Sequence, residues 1–196
     1  MYVLINHSPS RVVFLFCQER IEKNIKSLKA SNHFNTFIRK FSVMTQFIRT
    51  NSDNEDFVAL VRQLDEDLAQ RDGAEHAFYS QYNSINGLPW VIVAYENERP
   101  VACGALKAFE EDAVEVKRMY TQPGVRGKGL AATVLSELEN WASELGFSKC
   151  VLETGKRQPE AIRLYEKKGY RIIPNYGQYA GIENSICFEK SIAIIK

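Results

Sequence analysis

The sequence predicts an α+β fold of the α/β mixed kind. It should contain a twisted, mainly antiparallel sheet of about six to seven strands flanked by helices, with a βαβ unit at its centre. Three observations carry this. Apolar runs over 88–95, 101–109 and 113–121 follow one another through short polar turns, which is a meander. The stretch 114–153 reads strand, glycine-rich turn, amphipathic helix, strand, and that order needs a crossover pairing the two strands in parallel. The 196 residues are 45% hydrophobic and 25% charged, so the chain can bury one sizeable core and has no disordered bias.

Residues 1–43 fit this pattern poorly. Their apolar residues cluster without a clean period, and seven Lys/Arg against two Glu give the segment a charge of +5. Two readings compete: a loosely ordered basic arm that contacts a partner, or a dispensable extension upstream of a functional start at Met44. The pattern from Met44 onward is self-sufficient, which favours the second and makes 44–196 the domain.

Thr45 to Thr50 reads as a short strand. Ser52-Asp53-Asn54-Glu55 is a capping-box signature, with the Ser52 hydroxyl and Glu55 carboxylate satisfying free N–H groups of the next helix. That helix sets Phe57, Leu60, Val61, Leu64 and Leu68 on one face and ends at Asp72-Gly73. Residues 74–83 read as a second, shorter helix in which Phe78, Tyr79 and Tyr82 crowd together, as core or as the wall of a substrate pocket.

Asn86-Gly87 breaks the chain before the meander, whose first hairpin turns at 96–100 and second at 110–112. The helix after the glycine turn sets Leu130, Val134, Leu135, Leu138, Trp141, Ala142 and Leu145 on one face and stops at Gly146. Lys149 to Glu153 is a buried strand. Gln158-Pro159-Glu160 opens a last helix with proline in its first turn, where the missing N–H costs nothing, and Gly169 closes it. Strands over 170–174 and 185–192 flank a polar loop at 175–184.

Several function classes fall away. Residues 44–196 carry −4 of the chain's net +1, and nothing there suggests electrostatic binding to nucleic acid. Cys17, Cys103, Cys150 and Cys187 are widely spaced and form no CxxC pair. They read as reduced core residues rather than a disulfide or metal framework, which points to the cytoplasm. The apolar run at 12–17 is too short for a membrane span or a signal h-region.

The chemistry concentrates at Gly124-Val125-Arg126-Gly127-Lys128-Gly129, between a strand and a long helix. It is not a Walker A loop, since Gly129 follows Lys128 where Ser or Thr is required, and it is not GxGxxG. Glycines let the backbone approach closely, helix N-terminal amides converge on one point, and Arg126 and Lys128 add positive charge. A pyrophosphate suits such a place, although a tight ligand-free turn has the same sequence.

Arg126-x-x-Gly129-x-Ala131 resembles the Q/R-x-x-G-x-G/A signature of the GCN5-related N-acetyltransferases, and Leu164-Tyr165-Glu166-Lys167-Lys168-Gly169-Tyr170 resembles that family in order and spacing. The resemblance covers 44–196. It extends to a bacterial subgroup in which the blocks here at 115–120, 152–155 and 187–190 recur. It implies a GNAT-like sheet whose parallel strands, 114–121 and 149–153, splay apart, and transfer of acetyl from acetyl-CoA to an amine with no metal.

By that resemblance the backbone of Met119, Tyr120 and Thr121 pairs with the pantetheine arm. The amides from Val125 through Arg126, Gly127, Lys128, Gly129 and Leu130 to Ala131 hold the pyrophosphate. Gln158 stands in for an Asn that many members carry near the last helix. Glu115 corresponds to the general base; strand alternation would put it on one face with Lys117 and Met119. A salt bridge to Lys117 or Arg118 is its structural alternative. Tyr165 corresponds to the acid that protonates the leaving thiolate, with core packing as the alternative. Glu153 would bind the acceptor amine as a cation or hydrogen-bond the following turn.

Tyr79 and Tyr82, with Tyr176 and Tyr179 in the loop, are the expected acceptor walls. The acceptor is a small-molecule or peptide amine, and the chain a monomer or homodimer. The rival is a CoA-binding sensor or interaction module without turnover; retention of both Glu115 and Tyr165 argues against it.

Overall fold

The computed structural model describes residues 45–194, so the expectations for 1–43 and for Cys17 lie outside the described residues. Seven strands form one sheet: β1 Thr45–Thr50, β2 Trp90–Glu96, β3 Arg99–Glu110, β4 Ala113–Thr121, β5 Lys149–Gly155, β6 Arg171–Ile173 and β7 Ser185–Ser191, in the order β1-β2-β3-β4-β5-β7-β6. Among the described residues the α-helices are α1 Glu55–Asp72, α2 His76–Ser80, α3 Leu130–Glu144 and α4 Pro159–Lys167. All neighbouring strands are antiparallel except β4 and β5, which the α3 crossover makes parallel. The mixed sheet, its βαβ centre and its flanking helices are therefore as the sequence predicts.

Local chemistry accounts for the element boundaries. Asn54, not Ser52, caps α1: its side chain accepts from the Phe57 amide at 2.9 Å. Ser52 is instead buried, with its amide donating to the Leu88 carbonyl at 3.0 Å, so the cap sits two residues later and, with Phe57 three residues on, no reciprocal capping box forms. The first hairpin is tighter than predicted. Asn97 and Glu98 alone turn it, both at positive φ, which matches the twist of the flanking strands. The predicted helix over 74–83 resolves into a 3₁₀ turn at Gly73–Glu75 and the short α2. Gly146, at φ 91, terminates α3 as expected, although Leu145 is exposed rather than facing the core.

The core lies on both faces of the sheet. Phe57, Leu60, Val61, Leu64 and Leu68 of α1 pack on Val91, Val93, Cys103 and Ala105. On the other face Val134, Leu135, Leu138 and Ala142 of α3 pack on Ile92, Ala102, Leu106, Val114 and Val116, with Tyr165 of α4 and Phe188 of β7 extending the same cluster. Cys103, Cys150 and Cys187 are free and buried, and burial pushes their thiols up to about 12, 12 and 11. That is the inert, reduced state expected of core cysteines. Among the described residues no helix is long and apolar enough to cross a membrane, and no group of His, Cys, Asp and Glu could hold a metal ion.

One consequence of this topology positions the site. β4 and β5 pair only through Ala113↔Lys149, Val114↔Cys150 and Glu115↔Val151. Beyond Glu115 the strands part, and the outer edge of β4 from 116 to 121 has no strand beside it. Apart from Thr121 O, to which Arg126 donates at 2.9 Å, its outward N–H and C=O groups are open to a ligand.

Candidate active site

The gap between β4 and β5 opens on two connected spaces. One is a groove of about 370 Å³ running from the end of β4 across the glycine turn to the start of α4. Every cofactor candidate except Lys128 lines it: Met119, Tyr120, Thr121, Val125, Arg126, Gly127, Gly129, Leu130, Ala131 and Gln158. Lys128 turns away to pair with Glu96 at 3.3 Å.

The glycine turn is built as the spacing suggests. Gly127 and Gly129 stand at φ 81 and 86, conformations that favour glycine, and a Cβ at either would meet nothing within 4 Å. The space above the turn is thus open to a ligand. Two of its amides are already committed: Val125 donates to Gln122 O at 3.1 Å and Arg126 to Pro123 O at 3.3 Å. The remaining amides, from Gly127 to Ala131, carry no backbone partner among the described residues and meet the positive end of the α3 dipole.

Arg126 crosses the groove rather than pointing out of it. It donates to Thr121 O at 2.9 Å and to Asp67 at 2.8 Å, with its guanidinium 5.7 Å from the Tyr120 ring centroid. Thr121 Oγ1 is buried on the groove wall with no hydrogen-bond partner among the described residues.

The second space is a small cavity of about 90 Å³. It shares Leu64, Leu68, Met119, Gln158 and Tyr165 with the groove, so Tyr165 stands where the two meet. Tyr165 is buried, its ring edge-on to Tyr170 and tilted against Phe188, which fixes it by packing as well as placing it in the site. Burial and the neighbouring Glu153 raise its pKa above the ordinary tyrosine value, so the phenol keeps its proton.

Glu115 and Glu153 both line this cavity. Glu115 is buried; Lys117 Nζ donates to its Oε2 at 3.1 Å and Tyr176 Oη to its Oε1 at 3.2 Å. The salt-bridge alternative to Lys117 is thus realised, while Arg118 pairs elsewhere, with Asp65 at 2.8 Å. Glu153 has no cation within ion-pair distance among the described residues and accepts from Ser185 Oγ at 2.6 Å. Burial raises its carboxyl to about 7, against the opposing pull of Ser185 and Lys117 and with a further push from Glu115.

Of the four acceptor tyrosines, Tyr79 and Tyr179 line the cavity. Tyr82 and Tyr176 stand behind them, with ring centroids 6.1 and 5.9 Å from Tyr179. Tyr79 Oη also meets Ser185 Oγ at 3.2 Å, which extends the chain that ends on Glu153.

Met119 does not share a face with Glu115 and Lys117. A bulge opposite Gly104 breaks the alternation: Arg118 takes φ 57, reaches toward α1, and sends Met119 into the cluster under α3. Arg118 therefore lines the cavity beside Lys117, a neighbour that simple alternation puts on the opposite face. No sequence signal marks this, because arginine is not a residue that turns ordinarily recruit at positive φ.

The comparisons with known proteins agree with this geometry. Residues 55–170 match the family described as Acetyltransferase (GNAT) family. The chain is 34% identical over 134 residues to the uncharacterized N-acetyltransferase YjgM of Escherichia coli, covering 63% of this chain and 80% of that one. It is 35% identical over 102 residues to an IAA acetyltransferase of Azospirillum brasilense, covering 52% and 67%. Among solved structures, a Klebsiella pneumoniae protein described as an acyl-CoA N-acyltransferase superposes with a TM-score of 0.65 at 26% identity, covering 77% of this chain and 99% of that one. A splayed parallel pair, a glycine turn at a helix N-terminus and a sequence match spanning both place the chain in the GNAT family of acetyltransferases.

Proposed function

We propose that this acetyltransferase moves acetyl from acetyl-CoA to a primary amine by direct attack in a ternary complex, with Tyr165 as the acid and Glu115 as the base. The carrying observation is the position of Tyr165 at the junction of the groove and the acidic cavity. Acetyl-CoA supplies an activated thioester carbonyl. Gly127 to Ala131 would hold its pyrophosphate through their amides, and the open edge of β4 at Met119 to Thr121 would carry the pantetheine.

An ammonium has no lone pair, so the acceptor must lose a proton before it attacks. Glu153 receives the ammonium, having a carboxylate with no cation of its own. Glu115, held by Lys117 and Tyr176, takes the proton. As the new C–N bond forms and the C–S bond breaks, Tyr165 gives its proton to the sulfur, and the nitrogen sheds its second proton, which restores the neutral phenol. The free, buried cysteines suit a reducing compartment such as the cytoplasm. Residues 44–196 form the catalytic domain in this reading.

Tyr165→Phe tests it. General acid catalysis contributes on the order of 10² or more to the rate, so kcat should fall by about that factor while acetyl-CoA affinity, read by calorimetry, stays within about twofold. Wild-type turnover would remove Tyr165 from the chemistry.

A further inference from the structure

We propose that the acceptor is a small amine that also bears a carboxylate, of the amino-acid type. Lys117 and Arg118 receive the carboxylate and Glu153 the amine. This rests on the acetyl-transfer reading above and narrows its acceptor.

The bulge in β4 is the starting point. An unbroken strand would separate two consecutive cations onto opposite faces, whereas Arg118, at φ 57, lines the same cavity as Lys117. A non-glycine residue at positive φ stores backbone strain, and such strain collects at functional sites. The guanidinium is anchored through one nitrogen only. Nη1 donates to Asp65 at 2.8 Å and to the Asn83 carbonyl at 3.3 Å, which leaves Nε and Nη2 with no protein partner among the described residues. Lys117 spends one of its three donors on Glu115. Two fixed cations with donors to spare are a carboxylate receptor.

Across the gap, β5 offers the complementary charge. Glu153 lies two residues beyond the last paired position of β5, as Lys117 does on β4. It is close enough to feel both Lys117 and Glu115. A cationic diamine would set its second charge against Lys117 and Arg118, and a plain alkylamine would leave their free donors unused. An amino acid satisfies both walls.

Size points the same way. The segment 72–79 is tied to the far side of the cavity by Asn184 to Glu75 at 2.6 Å, Arg157 to the Asp72 carbonyl at 2.6 Å, and Tyr79 to Ser185 at 3.2 Å. This clasp, over a space of about 90 Å³, suits a small free molecule and not a side chain presented by a folded protein.

The test follows release of CoA thiol from the full chain with free amino acids, their amides, their decarboxylated amines and a polypeptide N-terminus. The acids should show kcat/KM at least tenfold above their own amides and amines. Arg118→Gln should raise KM for the acid about tenfold, leave KM for the amide and for acetyl-CoA unchanged, and be partly rescued by Arg118→Lys. Should Arg118→Gln not fold, the preference of the wild-type chain for acids over their own amides and amines reads the same selectivity. Equal turnover of acids and amides, preference for the polypeptide, or a variant that impairs acid and amide alike would overturn the proposal while transfer itself stands. Tight acetyl-CoA binding with no turnover of any amine would instead overturn the transfer reading, and this acceptor with it.

Discussion

Burial sets Glu153 against its own charge. Its carboxyl titrates near 7 in the fold against an ordinary value of 4.5, chiefly because desolvation outweighs Ser185 and Lys117. Between those two values the native state holds a proton that the unfolded chain has lost, so stability falls as pH rises through that window. The loss is on the order of 3 kcal/mol when complete. Glu153→Gln abolishes the titration, so the variant should gain on wild type in urea melts at pH 8 and show little gain at pH 4. A difference that does not change with pH would mean that Glu153 titrates as an ordinary carboxyl. A group poised near neutrality also suits an amine site, since it alternates between ion pairing with an ammonium and releasing it. Glu153 was visible in the sequence as a residue ending a parallel strand; its lack of a cation was not, because that depends on where Lys117, Arg118 and Arg157 find partners far along the chain.

β4 is the element on which the site depends most, and its legibility is uneven. Its limits, its parallel partner and the splay beyond Glu115 follow from an apolar run, a glycine turn and a family resemblance. The bulge does not, since it arises from packing across three elements. Gly104 of β3 lies opposite it, and a Cβ there would stand 2.5 Å from Met119 Sδ, 2.9 Å from Leu138 Cδ1 and 3.0 Å from Val134 Cγ1. This glycine is required by close approach and not by an unusual φ, so α3 can seat on the sheet only over a bare backbone. Gly104→Ala should therefore destabilise by about 1–3 kcal/mol in a denaturant melt, as overpacking does. Because Met119 must yield first, acetyl-CoA affinity should weaken in the same variant. A neutral substitution would show that Met119 and α3 have slack. The displaced cap at Asn54 makes the parallel point for α1: Ser52 and Asn54 are both good caps by type, and only the pairing of Ser52 with Leu88 decides between them.

Both spaces draw on elements from across the molecule. The glycine turn and the N-terminus of α3 line the groove, Tyr79 of α2 and Glu153 of β5 line the cavity, and Leu64 and Leu68 of α1, Gln158 and Tyr165 line both. Periodicity and turn residues act within a few positions, so they disclosed the order of elements; the clasp joins residues about a hundred apart, such as Tyr79 and Ser185, and left no local trace. A cofactor filling the groove would bridge β4, the glycine turn and the start of α4, and would bind only the folded chain. Mass action then fixes the size of its effect: at 100 times its dissociation constant, acetyl-CoA should add about 2.7 kcal/mol to the unfolding free energy. The elements that make those contacts lie within 44–196, so a chain starting at Met44 should show the same acetyl-CoA-induced shift in melting temperature as the full chain. A smaller shift in the shortened chain would assign residues 1–43 a part in the cofactor site, and no shift in either would remove acetyl-CoA from the groove.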